Sequence, residues 1–171
     1  DFRDLDQFEE DYLSLMSYFG VNGIHLHVPI WELSKNSAIP ELSAENYEEN
    51  ISILKKLIAR LNRFGINVYI YACNKKFMED AKIFKKHPNI KGSRGKGLPE
   101  LPSQHNLCSS NEKVLKCYEE TFKNLTNDVP GISGFIFIVG GEGFFHCYTR
   151  PDSRDGGYTN CPKCNKIPPS K

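Results

Sequence analysis

One short pattern occurs twice in this chain and restricts the folds available to it. The two copies are "YFGVNGIHLHV", which begins at Tyr18, and "RFGINVYIYAC", which begins at Arg63. Each copy reads as the end of a helix, a glycine, a β-branched residue, an asparagine and a strand. Repeated helix–strand junctions indicate repeated αβ units, and such units form a parallel sheet with right-handed crossovers.

Apolar spacing predicts the helices that belong to these units. Apolar residues recur every three or four positions from Leu5 to Phe19, from Tyr47 to Leu61 and from Val114 to Leu125. This spacing is typical of amphipathic helices that bury one face. Gly20 and Gly65 follow the first two, as is common where helices end.

Caps and connections complete the predicted element order. Ser43 is expected to cap the second helix, and the spacing of Ser109 and Glu112 is that of a capping box ahead of the third. A short basic helix is predicted from about Lys75 to Lys86. Residues 87–107 are rich in proline, glycine and polar residues without a period, which predicts a loop.

Three strands are predicted, namely "VNGIHLHVPI", "INVYIYA" and the run that starts at Phe135, and we expect both faces of each to be buried. An open doubly wound sheet and an α/β barrel both fit. No G-x-G-x-x-G follows a strand and no Walker lysine is present; "KGSRGKG" at 91–97 falls in a predicted loop.

The fold prediction is therefore an α/β chain that forms part of a (β/α)8 TIM barrel. A closed barrel has eight strands and about 250 residues, so a chain with three predicted strands would form only part of one. We expect that part to be about half of the barrel. We expect the partial barrel to span residues 1–142. Residues 143–171, rich in glycine, proline and cysteine, are expected to form a loop that continues into the missing half.

The candidate catalytic residue follows the third strand. "FIFIVGGEGFFHCYTR" (Phe135 to Arg150) runs from apolar residues into two glycines and Glu142. The glycines permit a sharp turn and a close approach of a ligand. A carboxylic acid partly removed from water at a barrel mouth has a raised pKa and can act as a general acid. The alternative is a strand-end glutamate in a structural ion pair.

Candidate substrate-binding residues follow the first two strands, where a barrel places its active site. His25 and His27 share one strand face because side chains alternate. Trp31 and Glu32 come soon after that strand, and Asn74 follows the second. A tryptophan beside a glutamate suits stacking on a sugar ring. Histidines bonded within a core and a tryptophan acting as a hydrophobic lid are the alternatives.

The cysteines form a second candidate site. Cys147 is followed by Cys161-Pro-Lys-Cys164, and either Cys108 or His146 can supply a fourth ligand. Structural zinc takes four cysteines, or three cysteines and a histidine. A disulfide and free thiols are the alternatives. His146 is also a candidate substrate-binding residue. The other two cysteines look like buried apolar residues.

Composition excludes several classes of protein. The 171 residues suffice for one domain with a sizeable core, and a net charge of +1 gives no reason to expect nucleic acid or a membrane surface as partner. No apolar run approaches the roughly 20 residues of a membrane span. Six cysteines are too few for a disulfide-dense scaffold. We expect no catalytic cofactor.

Several stretches resemble family-20 glycoside hydrolases, the β-N-acetylhexosaminidases. "YFGVNGIHLHVPIWEL" and "FGINVYIYA" look like their second and third strand regions, and "LCSSNEKVLKCYEETFKNL" is similar to their Cys-Pro-Ser-Asn helix start. "FIFIVGGEG" resembles their fourth strand, which ends in Gly-Gly-Asp-Glu. The tail with "CY" and "CPKC" looks like related bacterial barrels that are kin to α-glucuronidases. The resemblance covers roughly residues 10–145.

The resemblance implies a glycosidase that acts on a hexosaminide or uronide of a complex glycan. Glu142 would be its general acid/base, with His25, His27, Trp31, Glu32 and Asn74 along the sugar site. The family's Asp-Glu pair is replaced by Glu142-Gly143, so by strict register Glu142 occupies the position that orients the acetamido group. A second carboxylate, or that acetamido group, would complete the mechanism.

Partners and rival functions follow from the same reasoning. The expected partners are an oligosaccharide or polysaccharide and the remainder of the same barrel. The resemblance also implies secretion or a periplasmic location, with any export signal lying outside this chain. The alternatives are a polysaccharide-binding barrel without catalysis and a zinc-organised interaction domain.

Overall fold

The computed structural model describes residues 1–73, 75–95, 104–137, 146–148 and 158–169, and these divide into two compact units. The first unit comprises Asp1–Cys73 and Glu120–Phe137, and the second comprises Asn74–Glu119 and Ile138–Lys171. Across the described residues, the helices are too short or too polar to span a bilayer.

The first unit contains a parallel sheet built from helix–strand repeats. Its elements are α1 (Glu10–Tyr18), β1 (Gly23–Pro29), α2 (Tyr47–Asn62), β2 (Asn67–Cys73), the second half of α4 (Glu112–Asp128) and β6 (Ile132–Phe137). The strand order is β1-β2-β6 and both pairings are parallel. The parallel α/β arrangement predicted from the repeated junction is confirmed.

The repeated junction has the same local structure in both copies. Gly20 and Gly65 lie just past the ends of α1 and α2 with φ of 82° and 70°, a left-handed conformation that glycine adopts at little cost. The next residue donates back to the last turn, Val21 N–H to the Met16 carbonyl at 3.0 Å. Ile66 does the same after α2. Each helix therefore stops where the next strand must begin.

The helices of the first unit pack on one face of the sheet. That face carries Leu26 and Val28 of β1 and Val68 and Ile70 of β2, all at most 7% exposed. They share one core with side chains from all three helices, among them Leu13, Leu54, Leu57, Leu61 and Leu125. The opposite face is exposed along β1 and β2. The prediction that both faces are buried is therefore wrong for this unit.

The second unit contains an antiparallel sheet that the sequence did not predict. β3 (Phe77–Met78), β4 (Lys91–Gly95) and β5 (Gln104–Leu107) lie in the order β3-β5-β4. The predicted loop over residues 87–107 is thus wrong in its described part. β3 has only two residues, and β4 and β5 are mostly polar, so these strands lack the apolar alternation by which strands are recognised. The predicted basic helix is confined to α3 (Lys82–Lys86).

Both predicted serine caps are wrong. α2 begins at Tyr47, and the Ser43 hydroxyl instead accepts the N–H of Asn36 at 2.7 Å. α4 is capped by the Asn111 side chain, whose Oδ1 accepts the N–H groups of Lys113 and Val114 at 3.0 and 3.3 Å. Asparagine and serine are equally good N-caps, so the sequence alone does not show which of Ser109 and Asn111 caps α4. The residue at which the helix begins decides it.

The one-sided core predicts where the first unit is sensitive to substitution. Leu54 of α2 is fully buried, so Leu54→Ala should lower the free energy of unfolding by about 2–5 kcal/mol in a urea titration. Leu15 of α1 is 52% exposed, and Leu15→Ala should change that free energy by about 0.5 kcal/mol or less. Equal effects of the two substitutions would contradict the packing described here.

Candidate functional sites

The first candidate site is the exposed sheet face of the first unit. Strand register places His25 beside Tyr69 and His27 beside Tyr71, and these four side chains point away from the core. We call this set the aromatic sheet face. The two histidines were predicted to share a face. The tyrosines were missed, although "VYIYA" alternates with the same period of two.

The rings of this face contact one another across the strands. His27 and Tyr71 stack at 4.0 Å between centroids with an interplanar angle of 12°. His25 lies 5.4 Å from His27 and 5.8 Å from Tyr71. These contacts join flat apolar ring surfaces with imidazole nitrogens and a phenol hydroxyl that donate or accept hydrogen bonds. Such a surface can bind a polar ligand that also has apolar patches.

The ring of Tyr69 lies against a glycine on each of the two neighbouring strands. A β-carbon added at Gly23 would lie 3.1 Å from the Tyr69 ring, and one at Gly134 would lie 3.2 Å from it. Both distances are tighter than ordinary van der Waals contact. The two glycines therefore leave room for a ring that lies across the sheet.

Two further predicted site residues lie directly after β1, in the turn Ile30–Glu32. Trp31 is only 2% exposed. The stacking role predicted for Trp31 stays a prediction, and it would require this ring to become exposed. Glu32 pairs with the Arg3 guanidinium, and its carbonyl accepts the Asn50 side-chain amide at 2.9 Å.

Glu142 and Asn74, the predicted acid and a predicted sugar ligand, lie outside the described residues. Their roles stay predictions. β6 is described as far as Phe137, so the strand that leads toward Glu142 is in place in the parallel sheet.

The second candidate site is a cluster of four cysteines in the second unit. Cys108, Cys147, Cys161 and Cys164 place their sulfur atoms within 4.8 Å of one another, and each is at most 1% exposed. Cys108 Sγ lies 3.7 Å from both Cys161 Sγ and Cys164 Sγ. These four residues can hold a metal ion. We call them the cysteine cluster.

Short chain segments are held around the cluster by hydrogen bonds. The Asn160 side-chain amide makes two hydrogen bonds to the backbone of Arg94. Its Oδ1 accepts the Arg94 N–H and its Nδ2 donates to the Arg94 carbonyl, both at 2.8 Å. The Ser109 hydroxyl accepts the N–H of Cys147 at 3.0 Å. The Tyr148 hydroxyl donates to the Ile167 carbonyl at 3.2 Å. The tail thus has defined structure around its cysteines.

The surroundings of Cys147 favour its thiolate. Hydrogen bonds from the thiols of Cys108 and Cys161 lower the pKa of Cys147 strongly, and the backbone N–H groups of Ser109 and Ser93 act in the same direction. The hydrogen bond that Cys108 donates to Cys147 raises the pKa of Cys108, because this bond is lost when Cys108 ionises. A thiolate is the form of cysteine that binds metal.

The two candidates for a fourth ligand are now distinguished. Cys108, which directly follows β5, belongs to the cluster. His146 instead uses its Nδ1 to accept the N–H of Tyr148 at 3.1 Å. Cys117 is buried on α4 and is not a member of the cluster.

Known proteins that resemble this chain come from the solved structures. No family model matches this chain, and no curated protein matches it. Among solved structures, it is similar to the galactosidase domain of the α-galactosidase-sucrose kinase AgaSK, with a TM-score of 0.48, 16% identity and 76% of this chain covered. It is also similar to the GH36 α-galactosidase AgaA from Geobacillus stearothermophilus in complex with stachyose, with a TM-score of 0.46, 12% identity and 79% covered.

The chain spans 18% and 19% of those two structures. At these TM-scores and identities the likeness shows neither a family nor an activity, so the resemblance to family-20 enzymes stays a prediction. What the structure shows is a mixed α/β chain with a parallel sheet.

His105 of β5 provides a pH test of the second unit. Burial lowers its pKa from the ordinary 6.5, and nearby Lys91 and Arg94 add to this, while a bond to the Gly92 carbonyl and the charge of Glu79 oppose it. The unfolded chain therefore binds the proton more readily than the folded one. The stability contributed by neutral His105 is present above pH 6.5 and is lost as pH falls below that value.

We expect the NMR titration of His105 in the folded protein to lie below its value in urea. His105→Asn should show a smaller loss of unfolding free energy than the wild type when pH is lowered through 6.5. A folded-state pKa at or above the urea value would contradict this account.

Proposed function

We propose that this chain forms part of a glycoside hydrolase-like (β/α)8 barrel, with the aromatic sheet face on the barrel's inner wall. The observation that carries the proposal is the one-sided sheet. Three parallel strands lie in chain order, and the helices that connect them all pack on one face. A doubly wound sheet has helices on both faces, whereas a barrel has them only outside.

The exposed edges of the sheet support the same arrangement. β1 and β6 are the outer strands, and each pairs on one side only within the sheet of the first unit. Parallel strands with unpaired edges are a hazard for aggregation, which further strands would remove. In a closed barrel, side chains of the inner face would be covered by those from the other strands.

The chemistry of the aromatic sheet face suits a sugar. Sugars present hydroxyl groups around the ring edge and C–H groups on the ring faces. His25, His27 and Tyr71 combine hydrogen-bonding atoms with ring surfaces in one patch. Barrel interiors are more often filled by branched apolar residues, so histidine and tyrosine here favour a binding role over packing alone.

Under this proposal Glu142 is the general acid/base. The carboxyl ends of parallel strands meet at one edge of the sheet, and Glu142 follows β6 at that end. It would protonate the glycosidic oxygen as the bond breaks. A second carboxylate, or an acetamido group of the substrate, would stabilise the positive charge at the anomeric carbon.

A sugar-binding barrel without catalysis is the second candidate. Glu142 is followed by glycine, so the second acidic residue of the Asp-Glu pair in similar enzymes is absent at this position. A protein of this kind would bind oligosaccharides through the same face and would not hydrolyse them.

The role of Glu142 predicts the effect of one substitution. In the full-length natural protein, Glu142→Gln should lower kcat for aryl glycosides by about 10²–10⁴-fold, because the amide cannot supply the proton. Glu45→Gln, at an exposed position, is the matched control and should keep the wild-type rate. Near-normal turnover in Glu142→Gln would reject the catalytic role. Oligosaccharide binding without hydrolysis by the wild type would favour the second candidate.

The aromatic sheet face predicts a separate effect on binding. Tyr71→Ala should raise KM for the best aryl glycoside about five- to tenfold, because a ring contact and a hydrogen bond are lost. Tyr71→Phe should have a smaller effect, since it keeps the stack on His27. The control Tyr12→Ala removes an exposed tyrosine of α1 and should leave KM unchanged. An unchanged KM in Tyr71→Ala would place the substrate elsewhere.

A further inference from the structure

We propose that the cysteine cluster binds one structural zinc ion that organises the second unit. The first argument is the spacing of its sulfur atoms. A regular tetrahedron with Zn–S bonds of about 2.3 Å separates its sulfur atoms by about 3.8 Å. Cys108 Sγ lies 3.7 Å from two of the other sulfurs, and all four lie within 4.8 Å of one another.

This geometry does not favour disulfides. A disulfide joins two sulfurs at about 2.05 Å and leaves the other two cysteines apart from it. Here Cys108 is equally distant from Cys161 and Cys164, so neither pairing is preferred. The compact arrangement also leaves room for one ion at its centre and not for a multi-iron cluster.

Two serine hydroxyls lie beside the cluster and contact its cysteines. The Ser110 hydroxyl lies 3.2 Å from the sulfur of Cys164, where it can donate to a thiolate. The Ser109 hydroxyl holds the backbone N–H of Cys147 at 3.0 Å and so fixes the position of that ligand. Hydrogen bonds of this kind orient metal ligands and disperse the negative charge of a four-thiolate site.

An unpartnered buried amide supplies an independent observation. Asn106 is 1% exposed, and its Nδ2 has no hydrogen-bond partner among the described residues. Its Oδ1 lies 3.7 Å from Cys147 Sγ, as suits a thiol donor. A metal-bound Cys147 has no proton to donate. A half-turn of the amide would then direct Nδ2 to the thiolate and satisfy the buried nitrogen.

The site is closed, so its role is structural. Four protein ligands complete the tetrahedron and leave no position for water or substrate. All four side chains are buried, which also argues against a redox role, because redox-active thiols are accessible. The ion would join the end of β5 at Cys108 to the knuckle Cys161-Pro-Lys-Cys164 and to Cys147.

Metal analysis of the purified, tag-free protein tests the proposal. We expect one zinc per chain by mass spectrometry of the metals. Cys108→Ser and Cys161→Ser should each reduce the zinc content at least severalfold. Cys117→Ser is the matched control, since it replaces a buried cysteine outside the cluster, and it should retain one zinc per chain.

A second measurement covers the case in which the serine variants fail to fold. The wild-type protein is stripped with a chelator, kept reduced and titrated with Co²⁺. We expect the strong visible absorption of tetrahedral cobalt–thiolate coordination, saturating at one equivalent and abolished by added Zn²⁺. No cobalt absorption, iron in place of zinc, or an intact mass showing two disulfides in the purified protein would each overturn the proposal.

Discussion

Residue alternation in two neighbouring parallel strands determines most of what is distinctive about the first unit. β1 and β2 place aliphatic side chains on one face and histidines and tyrosines on the other, and the register aligns them pair by pair. Helices can bury only the aliphatic face. The other face is left as an exposed polar aromatic surface. The proposed barrel would place the helices on its outside and would enclose the aromatic face in its interior.

The second unit depends on a different interaction. Its sheet is small and its strands are short, so the apolar surface that it can bury is limited. The cysteine cluster forms a separate buried group, with Tyr148 packed against it. In zinc-finger peptides, a structural zinc contributes apparent binding free energies of about 10–16 kcal/mol, which is ample to order short segments without a large core. Zinc would thus add to the apolar packing that residues such as Ile90 and Leu107 provide in this unit.

Elements with regular apolar spacing could be predicted from the sequence. Strands that are short or mostly polar could not. The helices and parallel strands of the first unit follow from apolar spacing and from the glycines that end α1 and α2. The exposed face could have been predicted, since "IHLHV" and "VYIYA" alternate from residue to residue. The hairpin of β4 and β5 could not, because "KGSRG" has no apolar alternation. Cys108 and His146 were equal candidates until the fold placed one of them in the cluster. For Glu142 the sequence alone carries the prediction.

An experimental structure of the full-length natural protein tests the central claim most directly. The account predicts that β1 and β6 each pair in parallel with a further strand, and that His25, His27 and Tyr71 face the enclosed interior toward which Glu142 points. A helix packed over the histidine face, as in a doubly wound sheet, would contradict it.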